Sequence, residues 1–418
     1  MTRKADRDQI RRQNRSIILK ALRRQGPMAR IDLGQITRLS PATVTAITSD
    51  LLAQGLIEGI ESDEPKAPQS RGRPRSLLQL NPAAACVVAI RLSVNAIDMS
   101  LANFAGETFL NKRVPFDSAS ADAGSFPMLL IETIETFVRE AALRPDSIRE
   151  IGVAAQGVVD KGAGMVVWSP AFAGRNIPIV APLTKAFDAE CILSNDTNMI
   201  TEALHWIDPA RYSDTFAVVM LDYGVGMGLY LDNRLFEGAN GMAAEFGHSN
   251  HIPGGALCRC GKRGCIEAYL SDYALVRAAT HLPETSDPKE INAGVAGLAA
   301  LIARADEGDE DALTAFASAG RVLGYGLARL LAILDPKRIV LTGAAMRAFR
   351  FMEASMYQGL EEALVEDLRQ NFELDVMPWN EDFIRRGLVA QAMDRLDKDY
   401  LGAATRKTAP PRNRGAAA

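Results

Sequence analysis

Three of the five cysteines in this chain of 418 residues fall within the eight-residue stretch CRCGKRGC. Cys258, Cys260 and Cys265 are separated by glycines and charged residues, so they do not belong to a buried strand or helix face. Thiols spaced this closely indicate a metal site rather than a redox pair or a coincidence, and zinc takes four nitrogen or sulfur ligands in a closed structural site. His248 is the favoured fourth ligand, and His251 is the alternative. The spacing therefore predicts a structural Zn²⁺ site.

Two carboxylates adjoin this loop. Glu245 lies three residues before His248, and Glu267 lies two residues after Cys265. A rigid metal loop is able to hold such carboxylates in place as acceptors for ligand hydroxyl groups. The alternative is that both are ordinary surface acids.

Two further motifs follow predicted strands. Asn195 and Asp196, in SNDTN, end an apolar strand, where ligands of α/β proteins bind. Asp196 is suited to act as a general base towards a sugar hydroxyl, although helix capping explains the same residues. The motif YGVGMG places Gly224, Gly226 and Gly228 in a predicted turn typical of phosphate loops, but many β-turns are equally rich in glycine.

The segment that carries these motifs, residues 81–400, shows a repeated pattern. Two adjacent strands of alternating polarity are followed by helices and further strands, and this order occurs twice. The pattern predicts two similar α/β lobes with a cleft between them. Residues 401–418 lack periodicity and are predicted to be a disordered tail.

Residues 1–64 contain three helical patterns in close succession and then a strand. In SPATVTAITSDLL, Ser40 is a favourable N-cap and Pro41 occupies the first helical position. The pattern predicts a winged helix-turn-helix, and an ordinary three-helix bundle is the alternative. Its second helix has short hydroxyl side chains on the predicted outer face. The predicted DNA contacts of this helix are Ser40, Pro41, Ala42, Thr43, Thr45 and Thr48.

Residues 65–80 form a predicted wing tip or linker that is rich in proline and charge. Arg71, Arg73 and Arg75 flank a glycine and a proline in the run RGRPR. Such a slim, extended segment is able to place guanidinium groups in a narrow DNA minor groove, and a plain hinge explains it equally well.

Charge is distributed unevenly along the chain. Residues 1–80 carry 15 Lys and Arg against 8 Asp and Glu, and the remainder carries 32 basic and 43 acidic residues. A basic head on an acidic body indicates an anionic partner, with nucleic acid the obvious class.

The composition of the chain also bears on its location. No apolar run is long enough to span a bilayer, and the first residues do not form a secretory signal. The isolated Cys86 and Cys191 do not suggest an exported disulfide framework, so we expect a cytoplasmic protein without a membrane partner.

Together these motifs resemble the ROK family of sugar kinases and sugar-responsive repressors. The resemblance covers nearly the whole chain: EFGH, CRCGKRGCIE, SNDTN and EGANGMAAEFGH match the ROK domain, and SPATVT and GRP match the winged helix-turn-helix of the repressor branch. It implies a two-lobed, actin-like (RNase H-like) kinase fold with His248 as a zinc ligand. It also implies a sugar site formed by Asn195, Asp196, Glu245, His248 and Glu267.

Several positions depart from the kinase pattern. Sugar kinases of this fold begin the first lobe with an Asp-x-Gly-x-Thr hairpin that approaches the ATP phosphates and Mg²⁺. Here the strand is AIRLSVNA, in which a basic residue replaces the acidic one and larger side chains replace the Gly and Thr positions. ATP and Mg²⁺ are therefore not expected to bind, and Asp196 would be catalytic only in an active kinase. The departures are Arg91, Ser93, Val94, Asn95, Tyr223 and Ala344.

A further departure concerns the sugar pocket. The family often has a Pro-Asn…Gly-Trp stretch along the sugar, whereas SPAFAGRNIP has Ala171 and Gly174 at the corresponding positions. The identity of the sugar is therefore open.

These observations predict a sugar-responsive transcriptional regulator, most simply a repressor of carbohydrate genes, that acts on operator DNA as a homodimer or homotetramer. Two alternatives stay open. One is an active ATP-dependent sugar kinase with an added DNA-binding head. The other is a DNA-binding protein without a small-molecule effector.

Overall fold

The computed structural model describes residues 2–61, 76–369 and 372–404. The predicted minor-groove residues Arg71, Arg73 and Arg75 lie outside the described residues. So do residues 405–418 of the predicted tail.

The head consists of a helical bundle and a small antiparallel sheet with the strand order β1-β3-β2. β3 shows that the end of the predicted wing segment is a strand that pairs with β2 along its whole length. The predicted winged helix-turn-helix is confirmed. Its elements are α1 (Thr2–Gln25), β1 (Met28–Ala29), α2 (Arg30–Thr37), α3 (Pro41–Ala53), β2 (Ile57–Glu61) and β3 (Ser76–Leu80).

Helix α3 starts and packs as its sequence predicts. The Ser40 hydroxyl accepts a hydrogen bond from the Thr43 amide at 3.2 Å, and Pro41 is the first helical residue. Val44 and Leu51 are fully buried against α1 and the wing.

The expectation that Thr48 lies on the outer face of α3 is wrong. Its side chain is completely buried, with the hydroxyl donating to the carbonyl of Val44 and accepting from Nε of Arg30. Thr48 lies four residues after Val44, on the row that faces the bundle. Of the other predicted contacts in this helix, Pro41, Ala42 and Thr45 are exposed.

The first lobe is built on a five-stranded sheet with the order β11-β7-β4-β5-β6. The first three of these strands run parallel, and β5 and β6 run antiparallel to their neighbours. Three short strands form a separate antiparallel sheet, β10-β9-β8. The elements are β4 (Cys86–Ser93), β5 (Ala96–Asn103), β6 (Thr108–Pro115), α4 (Phe126–Glu140), β7 (Ile148–Ala155), β8 (Val158–Asp160), β9 (Met165–Trp168), β10 (Ile177–Pro178), α5 (Val180–Phe187), β11 (Glu190–Asn195) and α6 (Asp196–Ile207).

The second lobe repeats this arrangement in the sheet β14-β13-β12-β15-β16, in which β12, β15 and β16 are parallel. In both sheets the first strand of the lobe is central, with its hairpin partner on one side and the later parallel strands on the other. The elements are β12 (Phe216–Leu221), β13 (Val225–Leu231), β14 (Arg234–Leu235), α7 (Glu267–Leu270), α8 (Asp272–Ala279), α9 (Gly294–Asp306), α10 (Glu310–Leu334), β15 (Arg338–Thr342), α11 (Phe349–Ala363), α12 (Glu366–Arg369), β16 (Glu373–Val376) and α13 (Asp382–Ala404).

The repeat confirms the predicted pair of α/β lobes. Helix α13 leaves the second lobe and returns to the first, where it packs on α6, β4 and β7, and it also contacts α1 of the head. It extends to Ala404, four residues beyond the boundary expected for the body. One apolar core accordingly contains residues of the head, α6 and α13 together.

One helix departs from the expectation that no segment is long and apolar enough to cross a membrane. Within the described residues, α10 meets that criterion by length and composition. Half of its apolar window is buried inside the protein, and its small residues pack directly against α11. The length and hydropathy of α10 are those of a core helix of the second lobe.

Candidate metal centre and carboxylate pocket

The three cysteines and one histidine converge on a single point. The potential ligand atoms of His248, Cys258, Cys260 and Cys265 all lie within 4.8 Å of one another. The chain around them forms two short bridges, Asn250 with Cys265 and Leu257 with Arg263, which fold the loop into a compact knuckle.

The distances within this cluster suit a tetrahedral metal ion. Zinc–sulfur bonds of 2.3 Å at tetrahedral angles place two thiolates about 3.8 Å apart. The sulfur atoms of Cys260 and Cys265 are 3.8 Å apart, and Nδ1 of His248 lies 3.7 Å from the sulfur of Cys258. His251 is not part of the cluster. Its ring faces Arg329 instead, and Nη2 of Arg329 lies 3.5 Å from Nδ1 of His251. The predicted set of four residues is therefore assembled with His248.

Gly264 is what allows the knuckle to close. Its φ angle is +82°, and a Cβ there would lie 1.8 Å from the carbonyl oxygen of Ile252. Any other residue would push this strand of the loop away from Ile252 and displace Cys265, the next residue.

A cavity lies beside the knuckle, between the two lobes, with about 500 Å³ of space including its open mouth. The structure brings all five predicted sugar ligands to its wall: Asn195, Asp196, Glu245, His248 and Glu267. They come from three separate places in the chain, namely the junction of β11 with α6, the residues before the knuckle and the start of α7.

Asp196 is the first residue of α6 and is 2% exposed. One carboxylate oxygen, Oδ1, accepts from the Thr197 amide at 2.9 Å. The other, Oδ2, is buried and has no hydrogen-bond partner among the described residues. Burial raises the pKa of Asp196 to about 6, against the opposing effect of the Arg91 guanidinium. The free oxygen therefore offers a strong acceptor to a hydroxyl group in the cavity.

Asn195 performs the capping role that sequence reasoning left open for this segment. Its Oδ1 accepts from the amides of Thr197 and Asn198, and its Nδ2 donates to the carbonyl of Gly157 at 2.9 Å. Asn195 thus fixes the start of α6, and with it the carboxylate of Asp196.

The two glutamates hold different positions. Glu267 is 5% exposed and accepts from the Cys258 thiol and from the Val225 amide, each at 3.3 Å. Glu245 is more accessible, and its carboxylate lies 4.0 Å from Nε2 of His248. Burial raises the pKa of Glu245 to about 7. His248 therefore faces the cluster with one ring nitrogen and the cavity with the other.

The strand that the family resemblance places beside the nucleotide carries a cation, Arg91, at the mouth of a separate cavity. Arg91 is 8% exposed, forms an ion pair with Glu381 at 3.4 Å and is the principal positive charge acting on Asp196 and Asp222. The adjoining β4–β5 turn contains Asn95 with φ in the left-handed region. The backbone amide of Asn95 donates to the Ser118 hydroxyl.

Tyr223, in the turn before β13, lines the cavity that holds the five predicted sugar ligands. The guanidinium of Arg259, from the knuckle, lies 3.5 Å from the centre of the Tyr223 ring and donates to the Tyr223 carbonyl. The Arg259 guanidinium also forms an ion pair with Asp272 at 3.1 Å. The turn before β13 is therefore held against the knuckle.

The expectation that three glycines form a phosphate-type turn is wrong for two of them. Only Gly224 lies in the turn, whereas Gly226 and Gly228 belong to β13. A Cβ at these two positions would meet the hydroxyls of Thr197 and Thr201 at 2.2 and 2.0 Å. Their function is to let β13 approach α6 closely.

Sequence reasoning missed several residues of the wall. Trp168 places its ring edge-on to His248, with centroids 5.7 Å apart, and Gln156 and Pro170 also line the cavity. The run MVVWSP offered a signal, since a lone tryptophan ended a strand. Ala171, at the position where the family often has the pocket asparagine, is buried in the core of the first lobe. Gly174, at the position of the family tryptophan, lies beside Asp122.

The sequence profile of the ROK family matches residues 87–382. This chain belongs to the ROK family. The predicted family and its two-lobed fold are thereby confirmed.

Known ROK proteins include similar chains of two kinds. The chain is 26% identical over 336 residues to the xylose repressor of Caldicellulosiruptor bescii, covering 79% of this chain and 83% of that one. It superimposes with a TM-score of 0.77 and 25% identity on the crystal structure of a ROK family transcriptional regulator, a homologue of the Escherichia coli MLC protein, covering 95% of this chain and all of that one.

A ROK glucokinase from Streptomyces griseus, solved with glucose and AMPPNP, shares the fold of the body. Its TM-score is 0.58 at 22% identity, and the match covers 73% of this chain and 99% of the glucokinase. The match to the transcriptional regulator covers too much of the chain to leave out the head, whereas the glucokinase match leaves about a quarter of the chain uncovered.

Proposed function

We propose that this protein is a DNA-binding transcriptional repressor whose ROK domain binds a neutral sugar and releases DNA in response. The observation that carries the proposal is the free, buried Oδ2 of Asp196 in a cavity that also holds Glu245, Glu267 and His248. Carboxylates and an imidazole suit the several hydroxyls of an uncharged sugar, whereas a phosphate would be repelled. The resemblance to a named xylose repressor supports a pentose or hexose as the effector class.

We further propose that the cluster binds structural Zn²⁺ through His248, Cys258, Cys260 and Cys265. The ion would cross-link the knuckle and fix the imidazole of His248, leaving Nε2 to face the sugar. Glu267 lies against Cys258, so the geometry of the pocket depends on the knuckle.

Kinase activity is absent in this proposal. A phosphoryl-transfer site needs Mg²⁺ and space for the ATP phosphates, whereas the cleft presents Arg91 and the pinned Tyr223. A competing function as a sugar kinase rests on Asp196 alone, since its pKa of about 6 suits a general base. A coupled assay for ATP-dependent phosphorylation, with Asp196→Asn as the control, separates the two: turnover that this substitution abolishes would establish the kinase.

DNA binding is assigned to the exposed N-terminal part of α3, with Ser40, Pro41, Ala42, Thr43 and Thr45 approaching the major groove. Arg71, Arg73 and Arg75 are proposed to contact the minor groove. We propose a cytoplasmic homodimer or homotetramer, since two heads at a fixed spacing match a repeated operator.

Fluorescence anisotropy tests the proposed function directly. The purified protein is titrated onto labelled DNA from upstream of its own gene and of neighbouring sugar genes, with and without D-xylose, D-glucose and N-acetyl-D-glucosamine. Salt-sensitive binding that one sugar releases is the expected result. Binding that no sugar alters, together with no heat of sugar binding in calorimetry, would leave a DNA-binding protein without an effector.

A further inference from the structure

An ion pair shielded from solvent joins the head to the last helix of the chain. The guanidinium of Arg23, in α1, donates to both carboxylate oxygens of Asp397, in α13, at 2.6 and 3.0 Å. The two side chains are 3% and 0% exposed. The same guanidinium donates to the carbonyl of Phe104 at 3.1 Å and lies near the face of its ring.

Two further contacts extend this joint, which we define as Lys20, Arg23, Arg24, Trp206, Asp394 and Asp397. Lys20 of α1 is paired with Asp394 of α13. The guanidinium of Arg24 lies 5.8 Å from the ring centre of Trp206, in the last turn of α6. Helix α1 therefore rests on α13 and on α6 at once.

The same helix α6 reaches the cavity at its other end. Asp196 is its first residue, and Trp206 follows ten residues later. At 1.5 Å per residue, the cavity carboxylate and the joint are about 15 Å apart along one continuous helix. A shift of the first turn of α6 is therefore carried to Trp206 without passing through a loop.

Helices α6 and α13 are also in direct backbone contact. A Cβ on Gly387, in α13, would lie 1.9 Å from the carbonyl oxygen of Met199, in α6. Because no side-chain layer separates the helices at this point, there is little free volume to absorb a relative shift. Movement of α6 therefore also reaches Asp397, at the far end of α13.

Because the ion pair is buried, the head favours two positions, docked on α13 or released from it. A partly separated pair would leave two charges without partners in a shielded site, which is strongly unfavourable. A fully separated pair regains water. Release would also expose apolar surface that the head shares with α6 and α13, so the docked state predominates without a ligand and intermediate positions are disfavoured.

We propose that this joint couples the sugar cavity to DNA binding. The head docked through Arg23 and Asp397 is the state that binds DNA, and a sugar held by Asp196 at the start of α6 favours release. The proposal rests on the proposed function and assigns its means of regulation. Linkage then requires that weakening the joint changes the affinities for DNA and for sugar in opposite directions.

The test is Asp397→Asn in the full-length protein, measured by anisotropy on the same DNA and by calorimetry with D-xylose, D-glucose and N-acetyl-D-glucosamine. In the absence of sugar, DNA affinity is expected to fall at least about tenfold, because the docked state loses its charge pair. The affinity for the effective sugar is expected to rise at least about threefold, because binding no longer works against docking. Damage to the fold would lower both affinities, so the opposite signs identify coupling.

Two further variants complete the design. Arg386→Gln changes an exposed residue of α13 whose ion pair is with Asp382, outside the joint, and is expected to alter neither affinity. The double variant Arg23→Met with Asp397→Leu replaces the pair by apolar side chains of similar size, which keeps α1 docked. It is expected to bind DNA as wild type does and to respond to sugar at least about threefold less. This variant decides the matter if Asp397→Asn does not fold.

The proposed coupling would be overturned if Asp397→Asn left the affinities for DNA and sugar unchanged. It would also be overturned if the double variant responded fully to sugar. The proposed function fails separately, when no sugar alters DNA binding by the wild-type protein. In that case the DNA affinity of Asp397→Asn still decides whether docking controls the head: a tenfold loss supports it, and no loss refutes it.

Discussion

Glu202→Gln probes a titratable group that lies within α6, between the cavity and the head. Burial raises the pKa of Glu202 to about 7, and the nearby carboxylates of Asp394 and Glu237 raise it further than Lys20 and Lys398 lower it. In the unfolded chain the same carboxyl titrates near its ordinary value of 4.5. The folded protein therefore holds this proton over a pH range in which the unfolded chain has lost it.

The sign and size of the effect follow from that difference. Below pH 4.5 Glu202 is protonated in both the folded and the unfolded chain, so its ionisation does not lower the free energy of unfolding. Between pH 4.5 and about 7 the free energy of unfolding falls as pH rises, by about 1.4 kcal/mol per pH unit, and above pH 7 the penalty is constant. The loss in the free energy of unfolding caused by ionised Glu202 is therefore at most about 3 kcal/mol. Partial contact of the side chain with solvent lowers the expected loss to about 1–2 kcal/mol.

Glutamine removes the ionisation while keeping the shape. We expect Glu202→Gln to match wild type near pH 4.5 and to be more stable by about 1–2 kcal/mol at pH 8, measured as the first unfolding transition in urea. Glu132→Gln, at an exposed position of α4, is the matched control and should show no such divergence. A stability difference that is constant across this pH range, or that grows towards acid, would refute the reasoning.

Three more outcomes are expected. Cys258→Ser should reduce bound zinc from about one ion per chain and weaken sugar binding, because Glu267 loses its support; wild-type protein that elemental analysis finds metal-free would contradict the zinc site. Ser40→Ala removes the cap of α3 and should destabilise the head by about 1 kcal/mol and weaken DNA binding in anisotropy, whereas Ser49→Ala should not destabilise it. Asp196→Asn should raise the free energy of unfolding at pH 8 while weakening sugar binding by about 1.5–3 kcal/mol in calorimetry, and a loss of both would mean that the side chain is only structural.

The cluster of three cysteines and one histidine was predictable because its residues are local in sequence. The four residues lie between positions 248 and 265, so their spacing alone restricts how far apart the side chains can lie. The cavity carboxylates were predictable in a different way. The position of Asp196 at the end of a strand and the resemblance to the ROK family both pointed to it, although only the structure shows that Asn195 forms the cap and that Oδ2 of Asp196 is free.

The errors came from periodicity judged on one element at a time. Grouping the hydroxyl residues of α3 by type predicts that Thr48 lies on the outer face, whereas its i, i+4 relation to the buried Val44 puts it inside. Gly226 and Gly228 were assigned to a turn because glycine is common there. Their actual requirement is the close approach of Thr197 and Thr201, and no local pattern contains that information.

The joint was beyond sequence reasoning for a related reason. Arg23 and Asp397 lie 374 residues apart, each on a helix with many other charges. A charged residue on a helix is ordinarily solvated, and only the packing of α1 against α13 reveals that these two are not. Pairing of this kind is a property of the tertiary fold alone.

Asp196 shows why a kinase-like cleft suits a switch. Burying its unpaired oxygen is unfavourable, and a ligand hydroxyl that donates to this oxygen relieves that cost. In a kinase, part of such binding energy lowers the barrier of phosphoryl transfer, with Mg²⁺ as an exchangeable counter-charge. In the proposed repressor the counter-charge is Arg91, which is covalently fixed and would leave no phosphoryl transfer to drive. Under the proposed coupling, the favourable energy of sugar binding would shift a conformational equilibrium through the first turn of the helix that reaches the head.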